Sequence, residues 1–333
     1  MTVSKRQKNE TKIGRNWRVC GRIICGTTAF VLLLLLGCSV WGQEASLAPH
    51  EVAPSEGEQA TFPKNSCLRV ERERDDEIAS HGRSVAFCMK IYDSYCIVCA
   101  DHALTQKDGS PVDLHWISFV TPNGKRFALD DGRDSVKLRR AAEKKGLVKP
   151  VDFFVKLRGR AVRIGESDAA IFRLQDPVPG LIPLEPLYST TMVKEYDQLK
   201  ALVANPSVKG EYLQCTVEDP DCTDEAKRPR FQFYSASQSN KFMSGDSGAP
   251  ILNSENRVVG MLLQIQKQEL VINGVHTGLV DTVEYGGSTR LVSSRARAVG
   301  FDRILPALQK YWGVNDSNTD SEIALLSVST TRR

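Results

Sequence analysis

The residues of this chain best placed to do chemistry centre on Ser247. It stands in Met243-Ser-Gly-Asp-Ser-Gly-Ala-Pro-Ile-Leu252, inside the tetrapeptide Gly245-Asp246-Ser247-Gly248. A serine hydroxyl is a poor nucleophile until a neighbouring base takes its proton. If it attacks a carbonyl, backbone N–H groups must meet the oxygen that becomes negative. Gly245 lets the backbone approach without a side chain in the way, and Gly248 relieves the bend behind Ser247. The base, and a carboxylate to orient it, must come from elsewhere.

Two upstream segments offer them. Tyr95-Cys-Ile-Val-Cys99 reads as a strand that runs into Ala100-Asp101-His102-Ala103-Leu104, a small-residue corner carrying a histidine. Asp168 heads the apolar run Ala169–Leu174. Read singly, each candidate has a plainer meaning: a Gly-rich turn, a solvated corner histidine, a turn aspartate before a strand. His81, His115 and His276 compete with His102, and His115 sits within the strand-like run Val112–Val120. Glu166 and Asp176 compete with Asp168, but neither heads the apolar run.

Together the three segments resemble the trypsin-like (chymotrypsin-fold) serine proteases. Gly-Asp-Ser-Gly followed by a small residue and Pro is similar to that family's nucleophile loop, with Ala249 where a second Gly is usual. The His102 segment resembles the family's apolar-apolar-Thr-Ala-Ala-His, with Cys99 at the Thr and Asp101 at the second Ala. The Asp168 segment resembles Asp-Ile-Ala-Leu-Leu-Lys-Leu, and the order His, Asp, Ser is the family's. The resemblance spans roughly residues 82–312 but rests on these short motifs. It implies an all-β fold of two six-stranded antiparallel barrels with a C-terminal helix. It implies His102 as general base then acid, Asp168 as its orienting carboxylate and Ser247 as nucleophile, with the Gly245 and Ser247 N–H groups as oxyanion hole. The substrate would be a protein or peptide, with no cofactor and no metal.

The resemblance also places the floor of the substrate pocket six residues before the nucleophile, at Lys241. A cation there would favour an acidic P1 side chain, unless Lys241 points to solvent. His276 or Arg290 could reach the same pocket. The Arg-Ile-Val-Gly-Gly activation site of animal digestive zymogens is missing near the start of the domain, which is more similar to bacterial or stress-type members. Asp246 then needs some other partner. Asp101 would favour the imidazolium of His102 if it faced the ring. Two rival readings stand beside the protease. A serine esterase would show Gly-x-Ser-x-Gly with Ser ahead of His, and here Ala249 and the chain order disagree. A catalytically inactive binding module on the same fold is the other, for which Cys99 and Asp101 leave room.

The elements that must position these residues are legible as short apolar runs. Ser84–Tyr92 and Tyr95–Cys99 read as a hairpin with Asp93-Ser94 as its turn, which would set Cys88 opposite Cys99. Trp116–Thr121 and Lys125–Leu129 read as a second hairpin around Asn123-Gly124. Asp134 to Lys145 reads as an inserted basic helix, capped by Asp134 or Ser135 and ended by Gly146. Its cations form a solvated face or an exosite for an acidic partner. Strands follow at Phe153–Leu157, Arg160–Ile164, Gln198–Val203, Gly210–Val217, Arg230–Ser235, Pro250–Leu252, Val258–Gln264 and Glu269–Ile272, the last before an Asn273-Gly274 turn. Pro177 to Pro186 reads as the crossover between barrels of about 67–178 and 187–300, and 301–312 has helical spacing.

The first 42 residues carry seven cations and one acid, and an apolar run, Ile23–Gly37, follows the basic stretch. This is the pattern of a cleaved signal peptide, an uncleaved anchor, or a lipoprotein signal with Cys38 as the lipidated residue. Each places the bulk of the chain outside the cytoplasm, secreted, periplasmic or membrane-tethered, with membrane contact only through the N-terminal segment. The leader contributes +6 to the chain's +4, leaving the remainder at −2. The basic balance is therefore no nucleic-acid footprint. Residues 43–66 read as a flexible linker and 314–333 as a disordered tail. Six cysteines follow the leader, an even number that suggests disulfides in an exported chain. Cys215 with Cys222 is the leading pair, flanking an acidic loop, and Cys88 with Cys99 is the second.

Overall fold

From Val85 to Met89 and from Cys96 to Ala100 every residue is apolar and buried. A strand with one solvated face alternates, so unbroken apolar runs must be covered on both faces. That is their arrangement here. Ala86, Cys88, Ile97 and Cys99 point into one core, with Phe119, Phe127 and Phe172. Phe87, Met89, Cys96, Val98 and Ala100 point into another, with Leu252, Val258, Met261 and Val299. The two strands are thus the wall between two halves of the molecule.

The computed structural model describes residues 64–73, 83–106, 108–188, 193–203, 212–236, 241–267, 269–272, 275–285 and 288–312. The leader, the Asn273-Gly274 turn, the tail and His81 lie outside the described residues, as does the linker apart from Lys64–Ser66, a short 3-10 turn. Among the described residues no helix is long and apolar enough to cross a membrane.

The first half is an eight-stranded sheet built from Cys67–Arg72 (β1), Arg83–Ile91 (β2), Ser94–Ala100 (β3), Ile117–Val120 (β4), Arg126–Asp130 (β5), Phe153–Lys156 (β6), Val162–Ile164 (β7) and Ala169–Arg173 (β8). Their order is β6-β5-β4-β1-β2-β3-β8-β7. Only β5 and β6 run parallel. Parallel neighbours need a crossover, and helix Ser135–Lys144 (α1) supplies it. The sheet rolls up: the Arg158 N–H donates to Arg173 O at 2.8 Å and the Gln175 N–H to Lys156 O at 2.9 Å, joining the chain beyond β6 to β8.

The second half comprises Gln198–Ala201 (β9), Leu213–Thr223 (β10), Pro229–Ser235 (β11), Phe242–Met243 (β12), Pro250–Leu252 (β13), Val258–Ile265 (β14), Glu269–Ile272 (β15), Val275–Val280 (β16), Thr282–Tyr285 (β17), Ser288–Ser293 (β18) and Arg295–Gly300 (β19). Strands β10-β11-β19-β14-β13-β9 close into a barrel around Phe233, Phe242, Leu262 and Ala298. Strands β12-β18-β17 form a small sheet and β15-β16 a hairpin. The chain continues into helix Phe301–Trp312 (α2), which seats Phe301, Ile304, Leu305 and Leu308 in the seam between the halves. The fold is all-β with a closed six-stranded barrel, a second large sheet and a C-terminal helix, as expected. The first unit extends to eight strands because the α1 crossover adds β6 in parallel.

The expected disulfides do not form: all six cysteines in the described residues are thiols. The first hairpin turns at Tyr92-Asp93, so Ile91 faces Ser94, Cys88 faces Ile97 and Cys99 faces Ala86. Cys215 and Cys222 do not flank a loop. Both lie on β10, whose pairing with β11 continues past the acidic residues through two register shifts. Two residues that far apart along one strand cannot be bridged.

The Asn123-Gly124 turn forms as expected, with Gly124 at φ 84° and the Thr121 N–H donating to Lys125 O at 2.9 Å. Helix α1 ends as expected at Gly146 (φ 69°), where the Leu147 N–H reaches Ala142 O at 3.0 Å. Its basic run is not uniformly solvated. Lys137, Arg140, Lys144 and Lys145 are exposed, but Arg139 is fully buried. The Arg139 guanidinium donates to both carboxylate oxygens of Glu73 (3.1 Å each), to Lys149 O (2.7 Å) and to His115 O (3.1 Å). Glu73 also accepts from Arg126, Ser118 and the Lys149 N–H. This network pins α1 to the sheet. Removing one partner of a buried pair leaves the other uncompensated, at a cost of about 3 kcal/mol. Arg139→Met should therefore lose roughly that much in urea denaturation, and Arg139→Met with Glu73→Gln should recover part of it. A single variant as stable as the wild type would show that the network does not hold the helix.

Candidate active site

Asp168 closes the 3-10 turn Gly165–Ser167 in the left-handed region, at φ 51° and ψ 44°. Aspartate tolerates this conformation better than most residues. The turn aims both carboxylate oxygens at one target. Oδ1 accepts the His102 backbone N–H at 2.9 Å and Oδ2 meets His102 Nδ1 at 2.7 Å. The Asp101 N–H donates to Asp168 O at 2.9 Å, tying the histidine corner to the same residue. An ionised carboxylate only accepts, so Nδ1 carries the proton and a neutral ring keeps its lone pair on Nε2. Burial works against the charge on Asp168. The His102 hydrogen bonds and charge, with Arg228 nearby, outweigh it and hold the carboxyl below its ordinary pKa. His102 itself stays open, its side chain 47% exposed.

Asp101 has a charge partner of its own. Its carboxylate is paired with the Arg163 guanidinium, which also donates to Thr105 Oγ1 at 2.6 Å. The expected influence of Asp101 on His102 is therefore met by Arg163 instead. Cys99 is buried just behind, its thiol raised in pKa by burial and by Asp101 and Asp168.

Ser247 arrives from the other half. Gly245 (φ 108°) and Gly248 (φ 91°) both adopt backbone angles that side chains disfavour. At Gly248 a Cβ would lie 1.9 Å from Val85 O and 3.3 Å from Ala100 N. Only glycine fits there. The Val85 N–H in turn donates to Ser247 O at 2.8 Å. The loop of Ser247 is thus seated on β2, beside the end of β3 that leads to His102. Ser247 Oγ donates to Leu263 O at 2.8 Å. Leu263 is the extra residue of a bulge, since Leu262 pairs with Ala298 and Gln264 with Arg297. The Asp246 N–H goes to Met243 O (3.0 Å) and the Gly248 N–H to Leu262 O (2.7 Å). The N–H groups of Gly245 and Ser247, which precede these two in turn, have no acceptor among the described residues.

Asp246 is buried under this loop, with Oδ2 accepting the Met243 N–H at 2.8 Å. Its pKa is pushed up to about 7 by burial, which the Met243 N–H and Arg290 only partly offset. A cavity of about 290 Å3 opens beside it, lined by Arg69, Ser84, Met243, Gly245 and Arg290 among others. Of the expected pocket residues, Arg290 borders this cavity, and its guanidinium donates to Ser244 O at 3.1 Å. Lys241 is instead paired with Asp281. Its charge is met within the chain, so a preference for acidic side chains does not follow from it. The side chain of His276 lies outside the described residues. Sequence reasoning missed Arg163, Asp281, the Leu263 carbonyl and Arg228. None has a local signal, because each is brought in by strand pairing from 16 to 62 residues away or across the seam.

No family model matches this chain, and no curated protein does. Among solved structures it is similar to the Rv3671c protease of M. tuberculosis. The active form matches at 10% identity over 72% of this chain and 77% of that chain, with a TM-score of 0.40. The inactive form matches at 10% identity over 74% and 89%, with a TM-score of 0.41. Likeness at this level assigns neither family nor activity, so the residues of the site have to carry both.

The buried acid makes a test independent of any activity. With its ordinary value near 3.8 and its folded value near 7, Asp246 binds a proton in the folded chain that the unfolded chain has released. Between those values stability falls as pH rises. Asp246→Asn should remove this part, on the order of 4 kcal/mol across the window. Stability curves that run parallel from pH about 4 to about 7 would refute the effect of burial on Asp246.

Proposed function

We propose that this chain is a serine endopeptidase of the chymotrypsin-like kind, closer to bacterial or stress-type enzymes than to digestive zymogens. The observation that carries the reading is the double hold of Asp168 on His102, through the backbone N–H and through Nδ1. It leaves Nε2 as a base on the open side of the ring, and the loop that presents Ser247 packs on Ala100, two residues before His102. In this reading Ser247 Oγ rotates away from Leu263 O and attacks the scissile carbonyl as its proton passes to Nε2. The Gly245 and Ser247 N–H groups receive the oxyanion. Collapse of the tetrahedral intermediate breaks the C–N bond, and the leaving amine takes the proton back from Nε2. Water, deprotonated by the same nitrogen, then hydrolyses the acyl-enzyme. Asp168 stabilises the imidazolium in both halves without itself taking the proton. The leader supports action outside the cytoplasm, on protein or peptide substrates.

The Ser247–Leu263 hydrogen bond favours one second reading: an assembled site that stays idle until substrate or a partner turns Oγ toward the ring. Covalent labelling by a fluorophosphonate probe separates the two. An active site labels in the wild type, not at all in Ser247→Ala, and slower by a factor on the order of 10⁶ in His102→Ala. Asp168→Asn should slow labelling by a factor on the order of 10⁴, through loss of the tautomer. A folded wild-type protein that does not label would leave the idle or binding-module reading in its place.

A further inference from the structure

The turn that presents Asp168 is held from behind by the opposite half of the molecule. The tip of the β10–β11 hairpin, Asp224 to Arg230, reaches across the seam to it. Arg228 Nη1 donates to Gly165 O at 3.2 Å, and both terminal nitrogens of Arg230 reach Glu166 O at 3.3 Å. Asp224 binds the two arginines together, at 2.7 Å to Arg228 Nε and 3.0 Å to Arg230 Nη2. Its other oxygen accepts the Ala226 and Arg228 N–H groups, which fixes the tip. Asp224 and Arg230 are buried, whereas Arg228 is part exposed.

We infer that Asp224, Arg228 and Arg230 form a positioning clamp, which sets the orientation of the Asp168 turn, and so of its carboxylate beside His102, from the second half. The assignment rests on the reading of His102, Asp168 and Ser247 as a catalytic unit. Three observations support it. The backbone of Asp168 is left-handed, a conformation that persists where its surroundings hold it. The carbonyls of Gly165 and Glu166, one turn ahead, are the groups the arginines take. The clamp is also built from two buried charges held by several hydrogen bonds, which a mere surface contact does not require.

The charged and titratable groups around Asp168 are His102 from the histidine corner, Asp101 with Arg163 beside it, the Cys99 thiol from β3, and Arg228 and Arg230 from the hairpin. Arg228 contributes to the lowering of the Asp168 pKa. A carboxyl whose pKa is depressed keeps its ion pair until pH falls through that depressed value. Without the Arg228 charge the value rises, and the pair is lost sooner on acidification.

The test uses the full chain and three variants. In Arg228→Met, the low-field Nδ1–H proton resonance of His102 should vanish at a pH about half a unit higher than in the wild type. Arg228→Lys, which keeps the charge, should return most of that shift. Arg230→Lys cannot fork onto the Glu166 carbonyl and should speed amide exchange in residues 166–169 about tenfold. Both Arg228→Met and Arg230→Lys should slow fluorophosphonate labelling at neutral pH by about tenfold, with unchanged thermal unfolding of the barrel. If the wild type labels and the variants follow it in resonance, exchange and rate, the clamp is wrong. If the wild type does not label, the endopeptidase reading falls. The resonance and the exchange still decide the clamp, since neither needs turnover.

Discussion

The contact on which the site depends is the seat of Gly248 against the Val85 carbonyl. Any side chain at Gly248 would overlap that oxygen. Its positive φ excludes most other residues for an independent reason. The bond from the Val85 N–H to Ser247 O locks the same joint from the other side. Ser247 belongs to a loop of the barrel, whereas His102 and Asp168 belong to the rolled sheet. Nothing in either half alone brings them together. The seam of Phe87, Met89, Met261, Val299 and α2 supplies the apolar area that keeps the halves together. The glycine decides where along that seam the serine sits.

Four of the buried or half-buried acids, Glu73, Asp101, Asp168 and Asp246, are each handled differently. Glu73 is fully paired in the network under α1. Asp101 is paired with Arg163. Asp168 is spent wholly on His102, with Arg228 and Arg230 acting on its turn rather than on its oxygens. Asp246 has one N–H and a more distant arginine, so it alone is pushed toward the proton. The contrast follows from what each acid does. The Asp168 carboxyl is held charged by its hydrogen bonds to His102, with Arg228 adding to them. Asp246 ties the Ser247 loop by accepting the Met243 N–H, which either protonation state can do.

Much of this site was legible before any coordinate. The tetrapeptide at Ser247, the corner at His102 and the head of strand β8 at Asp168 are local features, and the expected pairing of His102 with Asp168 is present at 2.7 Å. The Gly124 turn, the Gly146 helix stop and the α2 stripe were legible for the same reason, since each depends on backbone conformation within a few residues. The cysteines were misread because a hairpin turning at Tyr92-Asp93 rather than at Asp93-Ser94 changes the partner of Cys88 from Cys99 to Ile97. At Cys215 and Cys222, an acidic stretch that looked like a loop continues a strand. The sequence left the surroundings of Lys241 and Asp101 open because their partners, Asp281 and Arg163, are 40 and 62 residues away.

By itself the sequence determined which runs must be covered on both faces, where the backbone must turn through glycine, and in what order His102, Asp168 and Ser247 come. Those are matters of side-chain period and of local conformational freedom, which short stretches contain in full. Only the tertiary structure decided which charges meet, that the cysteines stay apart, that Ser247 Oγ rests on a bulged carbonyl, and that a hairpin of the barrel grips the turn of Asp168. These depend on strand register and on how the two halves close. A shift of one residue in pairing turns every side chain on a strand to the other face, so no local pattern could have settled them.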